Sequence, residues 1–206
     1  MTLFESLLQQ YGVNEPILSS ELSFGGYSRP WIYKQLNQLC EEGKLVRYEK
    51  GVYYIPTQTP FGKSLLNPRK VIERKYISQG GETVGYYSGI TFQNQLRLTT
   101  QMPNVIEVYT NNETTRSRDV YVGKQKVRLR RARTRITAAN ADVLSFLELM
   151  NDLTSDLLYD EKKAIIARFI SDRKITRKDI STYAPVFPDK AMRTLIESEV
   201  IYSVTQ

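Results

Sequence analysis

Within the thirty residues YSRPWIYKQLNQLCEEGKLVRYEKGVYYIP, Tyr27 to Pro56, the apolar period changes from that of a helix to that of a strand across one short turn. Ile32, Leu36, Leu39 and Cys40 share one helical face, and Gly43 follows as a stop. The run KLVRYEKGVYYIP then alternates in two short stretches about Glu49, Lys50 and Gly51, as a β-hairpin does. A helix burying one stripe beside a hairpin burying one face confines the chain to an α+β module. Ser28 is placed as N-cap, and Pro30 falls in the first turn, where its missing N–H costs nothing.

Upstream, Leu3, Phe4, Leu7, Leu8 and Tyr11 predict a first helix ended by Gly12, and ILSSELSF, introduced by Asn14, Glu15 and Pro16, predicts a short second one. Three short helices and a hairpin predict a winged helix-turn-helix over residues 1 to 56. In that arrangement the third helix enters the major groove, with Ser28 at its start and Arg29, Tyr33, Lys34 and Asn37 available for bases or phosphates. Arg47 and Lys50 sit in the wing. Winged helices also dock proteins, and a polar helix face is commonly only a solvated face. Trp31 lies next to the core stripe and reads as a core cap rather than a base-stacking ring.

Charge complicates the nucleic-acid reading. The chain of 206 residues carries +7, but residues 1 to 56 hold five basic and six acidic residues, a net of −1. Residues 57 to 136 hold fifteen and five, a net of +10, and residues 137 to 206 hold nine and eleven, a net of −2. A polyanionic partner therefore points to the middle of the chain, where KQKVRLRRARTR, Lys124 to Arg135, is densest.

After Pro56, TQTPFGKSLLNP has the Pro, Gly and Ser content of a linker, with Phe61, Leu65 and Leu66 expected to pack on something. Asn67 and Pro68 open a helix that Gly80 and Gly81 are expected to close. The run TVGYYSGITFQNQLRL predicts a helix from Thr83 with Gly85 and Gly89 on one packed face. NVIEVYT, RDVYV and KVRLRRARTRI predict three antiparallel strands, with a bulge at Arg130 to Arg131 where the apolar phase slips. Such a bulge would turn Arg128, Arg130, Arg131, Arg133 and Arg135 to solvent, flanked by Lys124 and Lys126: a ridge suited to a phosphate backbone. The bland reading is a charged edge that blocks sheet-to-sheet aggregation. Beyond Ala138 three helices are expected, around Val143 to Met150, Ile165 to Ile170 and Ala191 to Ile196. The expected fold is thus a winged helix-turn-helix domain, 1–56, and a mixed α+β domain, 57–206, with a small antiparallel basic sheet over 104–136 and a helical part over 138–206.

The chain has no histidine and one cysteine, which removes zinc, Cys-His and Ser-His-Asp chemistry. No residue pattern calls for a metal or cofactor, and no catalytic residue is assigned. The enzyme alternative is an RNA-directed or Mg-dependent nuclease using Glu107, Glu113 and Asp119 with Lys124 and Lys126, chemistry that needs carboxylates converging on a metal. No membrane partner is expected, and the start MTLFESLLQQYG lacks signal-peptide regions, so a cytoplasmic protein is expected.

The order of GKLVRYEKGVYYIP, TPFGKSLLNPRKVIERKYI and GYYSGITFQNQLRLTTQMPNVIEVYTNN resembles the AbiEi-type antitoxins of abortive-infection, type IV toxin-antitoxin systems, over roughly residues 1 to 136. The resemblance implies a bacterial, non-enzymatic protein encoded beside a nucleotidyltransferase toxin. It would repress their shared promoter by binding double-stranded DNA, and counter the toxin through its C-terminal domain without a stable complex. It carries DNA contact to Arg29, Tyr33 and Lys34 by position. RNA contact by the arginine segment stays open, since phosphates alone do not distinguish the polymers.

Overall fold

The Thr2 hydroxyl accepts the Glu5 N–H and the Glu5 carboxylate accepts the Thr2 N–H. This capping box opens helix α1, Leu3–Tyr11, in the computed structural model, which describes residues 2–204. Gly12, at φ 74°, ends the helix as expected. No helix follows within ILSSELSF. Ile17 and Leu18 instead form strand β1, paired with Tyr53 and Val52, and Ser19 to Glu21 make one turn closed by the Glu21 N–H on Leu18. Pairing with the open edge of the hairpin buries both apolar residues, which outweighs the weak helical preference of so short a segment.

Helix α2, Arg29–Glu41, strand β2, Val46–Glu49, and strand β3, Val52–Tyr54, form as the sequence indicates, in a sheet of order β1-β3-β2. Leu3, Leu7, Ile17, Ile32, Leu36, Leu39 and Tyr53 fill the core between them, with Trp31 and Cys40 half-buried at its margin. The next segment is structured rather than a linker. Strands β4, Gln58–Thr59, and β5, Gly62–Lys63, make a hairpin, and helix α3, Pro68–Tyr76, starts where the Asn67 carboxamide accepts the Arg69 N–H at 2.9 Å. Leu66 is buried, but Phe61 and Leu65 are 101% and 90% exposed and pack on nothing. These elements group with the first of two compact units, Met1–Lys75 with Val122–Lys124; the second is Tyr76–Tyr121 with Gln125–Gln206.

In the second unit Gly80 and Gly81, both at positive φ, form the two-residue turn between strands β6, Ser78–Gln79, and β7, Glu82–Thr83, so they do not stop α3. The helix expected from Thr83 is a strand first: β8 is Gly85–Ser88, and helix α4, Gly89–Gln95, begins only after it. The two glycines serve close approach and backbone turning, not helix packing. A Cβ on Gly85 would lie 2.0 Å from the Tyr76 carbonyl oxygen and 2.7 Å from that of Tyr109, and Gly89 turns the chain at φ +59°.

Strands β9, Val105–Thr110, β10, Ser117–Val122, and β11, Gln125–Arg131, complete a four-stranded sheet of order β10-β11-β9-β8. It is not antiparallel throughout. β11 runs parallel to β9, in unbroken register from Lys126 opposite Val105 to Arg131 opposite Thr110, while β8 is antiparallel to β9. The pairing contains no bulge at Arg130 to Arg131: the apolar phase slips there because the strand ends. Past that end, Asn111 holds the Ile136 backbone by accepting its N–H at 2.9 Å and donating to its carbonyl at 2.8 Å.

Four α-helices follow: α5, Ala141–Asp152, α6, Asp160–Asp172, α7, Arg177–Tyr183, and α8, Asp189–Glu197. The unexpected one, α7, has a single buried residue, Ile180, but carries a capping box between Thr176 and Asp179. Tyr86 and Tyr109 of the sheet, Phe92 of α4 and the helices share one core, centred on Phe146, Leu147 and Met150 of α5. Gly85→Ala should lower the unfolding free energy by about 1–3 kcal/mol through the forced backbone shift, measured by urea denaturation, whereas an unchanged midpoint would refute the tight approach.

Candidate nucleic-acid interface

The Ser28 hydroxyl accepts the Trp31 N–H at 3.4 Å and caps α2. Arg29 is occupied differently from expectation. Its guanidinium donates to the carbonyls of Ser19 and Ser20, both at 3.1 Å, so it pins the turn that replaces the second helix. Tyr33, Lys34 and Asn37 are exposed on the side of α2 opposite Ile32, Leu36 and Leu39. Arg47 is exposed on β2 directly opposite Tyr53 of β3, whose ring shares the core with Ile32, Leu36 and Leu39, so Arg47 lies on the α2 side of the hairpin. Lys50 is exposed in the hairpin turn. The Tyr27 ring stacks on Trp31 with centroids 3.9 Å apart, which closes one face of the indole.

The arginine segment is not a ridge of five free guanidiniums. Strand alternation sends Lys126, Arg128 and Arg130 to the same face as Glu107, which lies directly opposite Arg128 in the register. Asp119 of β10 accepts from Lys126 at 2.8 Å and from Arg128 at 2.8 and 3.2 Å, and these contacts hold its carboxyl well below the usual range. Arg130 Nε donates to Glu107 at 2.9 Å. Arg133 takes Glu148 side-on, Nε to Oε2 at 2.9 Å and Nη2 to Oε1 at 3.1 Å. Lys124, Arg131 and Arg135 are exposed, and among the described residues neither Arg131 nor Arg135 has an ion pair.

No family model, curated protein or solved structure matches the chain.

Glu148, absent from the sequence reading, organises this region. It is 2% exposed on α5 and accepts from Arg133, from the Tyr109 hydroxyl at 3.0 Å and from the Asn151 amide at 3.2 Å. Burial and then the Glu148 charge push the Tyr109 phenol up to about 12. One turn on, Asp152 accepts the Gly89 N–H at 3.2 Å; desolvation first, then Glu148 and Glu107, push it up to about 6. Asp152 is nonetheless exposed over much of its surface, and solvent screens part of that repulsion. The one sequence signal was a glutamate within the apolar run VLSFLELM, since a charged residue flanked by core positions must find a partner.

The nuclease carboxylates do not converge. Glu107 holds Arg130, Asp119 holds Lys126 and Arg128, and buried Glu113 is spanned by Thr115 and Arg118. Among the described residues no group of three or more metal-ligating side chains could hold a metal ion, and no helix is long and apolar enough to cross a membrane.

Glu148→Ala should cost about 2 kcal/mol or more on chemical denaturation. That is below the loss expected for a fully buried pair, because 26% of the Arg133 side chain reaches solvent. For Asp152 the folded state holds its proton to about pH 6, while the unfolded chain releases it near the ordinary 3.8. Its contribution to stability is therefore complete below about pH 4 and is lost as pH rises through about 6. Asp152→Asn should shrink the fall in melting temperature between pH 4 and 7, and an identical fall in both proteins would contradict the assignment.

Proposed function

We propose that the chain is a DNA-binding autorepressor and antitoxin of a type IV toxin-antitoxin system. The first unit would act as a winged helix whose second helix is reduced to the turn Ser19 to Glu21. It would read double-stranded DNA of its own promoter, and the second unit would counter a nucleotidyltransferase toxin without a stable complex. No enzymatic step is assigned to either unit.

The observation that carries the DNA reading is the exposed set Tyr33, Lys34 and Asn37 on α2 with Arg47 on the α2 side of β2 and Lys50 in the turn beyond. Asn reads adenine with a bidentate pair, Tyr and Lys reach phosphates, and a cationic hairpin turn follows the adjacent backbone. The antitoxin reading rests on the resemblance of residues 1 to 136. Arg29, also carried over by that resemblance, enters the proposal as a brace for the turn, because its guanidinium already serves two carbonyls.

Two measurements test this. Asn37→Ala should cost about 1–3 kcal/mol in promoter binding and relax base preference at one position, whereas Arg29→Ala should lower thermal stability and weaken all sites alike. Full promoter affinity and base preference in Tyr33→Ala and Asn37→Ala together would remove α2 from the interface. Separately, co-expression should restore growth of cells producing the nucleotidyltransferase encoded beside this chain, and failure to do so would remove the antitoxin role.

A further inference from the structure

At the C-terminal end of β11 the second unit opens into a cleft of about 400 Å³ lined by Tyr109, Arg116, Arg130, Arg131, Ala132 and Arg133. Four of its six lining residues are arginines. The backbone fixes them there: Arg130 to Arg133 are consecutive, and the Arg131 N–H donates to the Arg116 carbonyl at 3.4 Å across the strand pair.

The four guanidiniums are not equivalent. Glu107 takes Nε and Nη2 of Arg130, and Glu148 takes Nε and Nη2 of Arg133, so each carboxylate aims one guanidinium and, among the described residues, leaves its Nη1 without a hydrogen-bond acceptor. Both cations also flank the Tyr109 ring, at 6.0 and 5.8 Å from its centroid, and Phe187 lies 5.0 Å from Arg133. These two groups are therefore preorganised. Arg116 and Arg131 are exposed, and among the described residues neither forms an ion pair.

Crowding four cations around one opening is electrostatically unfavourable, and Glu107 and Glu148 offset only two of them. Asp152, near Arg130, adds a third carboxylate outside the lining above about pH 6. The cleft keeps a net positive charge and many unused N–H donors, which a compact multivalent anion would satisfy. Its volume falls at the small end of ligand pockets, and its concave form does not suit a duplex backbone spread along a groove.

We propose that this cleft binds a phosphate monoester, with Arg130 and Arg133 as fixed donors and Arg116 and Arg131 closing on the outer oxygens. The phosphate could be carried by a small nucleotide or by the 5′ end of a nucleic-acid strand, which share this chemistry. The inference is independent of promoter reading by the first unit.

Isothermal titration of the full chain with inorganic phosphate, adenosine 5′-monophosphate, adenosine, and a short single strand with or without a 5′-phosphate tests it. The monophosphate should bind with a Kd below about 1 mM and adenosine should not. Arg116→Ala/Arg131→Ala, which removes no ion pair, should weaken binding at least about tenfold, a loss of about 1.4 kcal/mol, with an unchanged melting temperature. Arg116→Gln alone should give an intermediate loss. A 5′-phosphorylated strand binding at least about tenfold tighter than the mononucleotide identifies strand ends as the source, and equal affinity identifies free nucleotides. Absence of binding by every phosphorylated probe, equal binding of adenosine and its monophosphate, or full affinity in the double variant would overturn the proposal. Promoter binding by the same double variant should match wild type, so failure of either reading leaves the other standing.

Discussion

A carboxylate buried in the middle of an apolar helix dictates how the second unit is arranged. Glu148 cannot stay charged inside that core without donors, and it obtains them from Arg133, Tyr109 and Asn151. Meeting that demand draws the chain beyond β11 back against α5. It also turns Tyr109 inward and fixes one guanidinium at the mouth of the arginine cleft. Removing Arg133 leaves the buried Glu148 charge with little water, whereas the surface pair of Arg168 and Asp172, 3.6 Å apart and largely exposed, holds nothing comparable.

The same reasoning redistributes the charge of the chain. Ten net positive charges over residues 57 to 136 look like one adhesive strip when written out in order. Folded, Lys126 and Arg128 neutralise Asp119, Arg130 meets Glu107, and Arg133 meets a carboxylate from outside the segment. What remains for a partner includes Arg116 and Arg131 at a cleft and the exposed Arg135 in one unit, and Lys34, Arg47 and Lys50 around α2 in the other. The acidic balance of residues 1 to 56 is also reduced on folding. Glu49 is engaged by Lys75, and Glu21 by Arg74, so part of the acid is already neutralised within the first unit.

Where an element carried its own local signal, the sequence was readable. Ser28 caps as a hydroxyl before a helix does, Gly12 and Gly51 take positive φ where a helix ends and a hairpin turns, and Ile32, Leu36 and Leu39 mark the buried stripe of α2. What could not be read depended on distant partners. Ile17 and Leu18 become strand because β3 offers an edge, and Gly85 sits in a strand because two carbonyls crowd it. Parallel pairing of β9 with β11 is set by which strand lies next to which, about which alternation within a strand says nothing. The candidate site divides the same way. Exposure of Tyr33, Lys34 and Asn37 followed from helical period, while Arg130 and Arg133 are occupied by carboxylates 23 and 15 residues away, Arg29 by turn carbonyls, and Arg128 by Asp119 across its own hairpin, a pairing that depends on register.

On the proposed reading, DNA is gripped around α2 and its hairpin, not by the paired arginines of β11. The salt dependence of promoter affinity separates the two directly, because each lost phosphate contact reduces the slope of log K against log salt by about 0.9. The account predicts a shallower slope for Arg47→Gln/Lys50→Gln and a wild-type slope for Lys126→Gln/Arg128→Gln. The reverse pattern would contradict it.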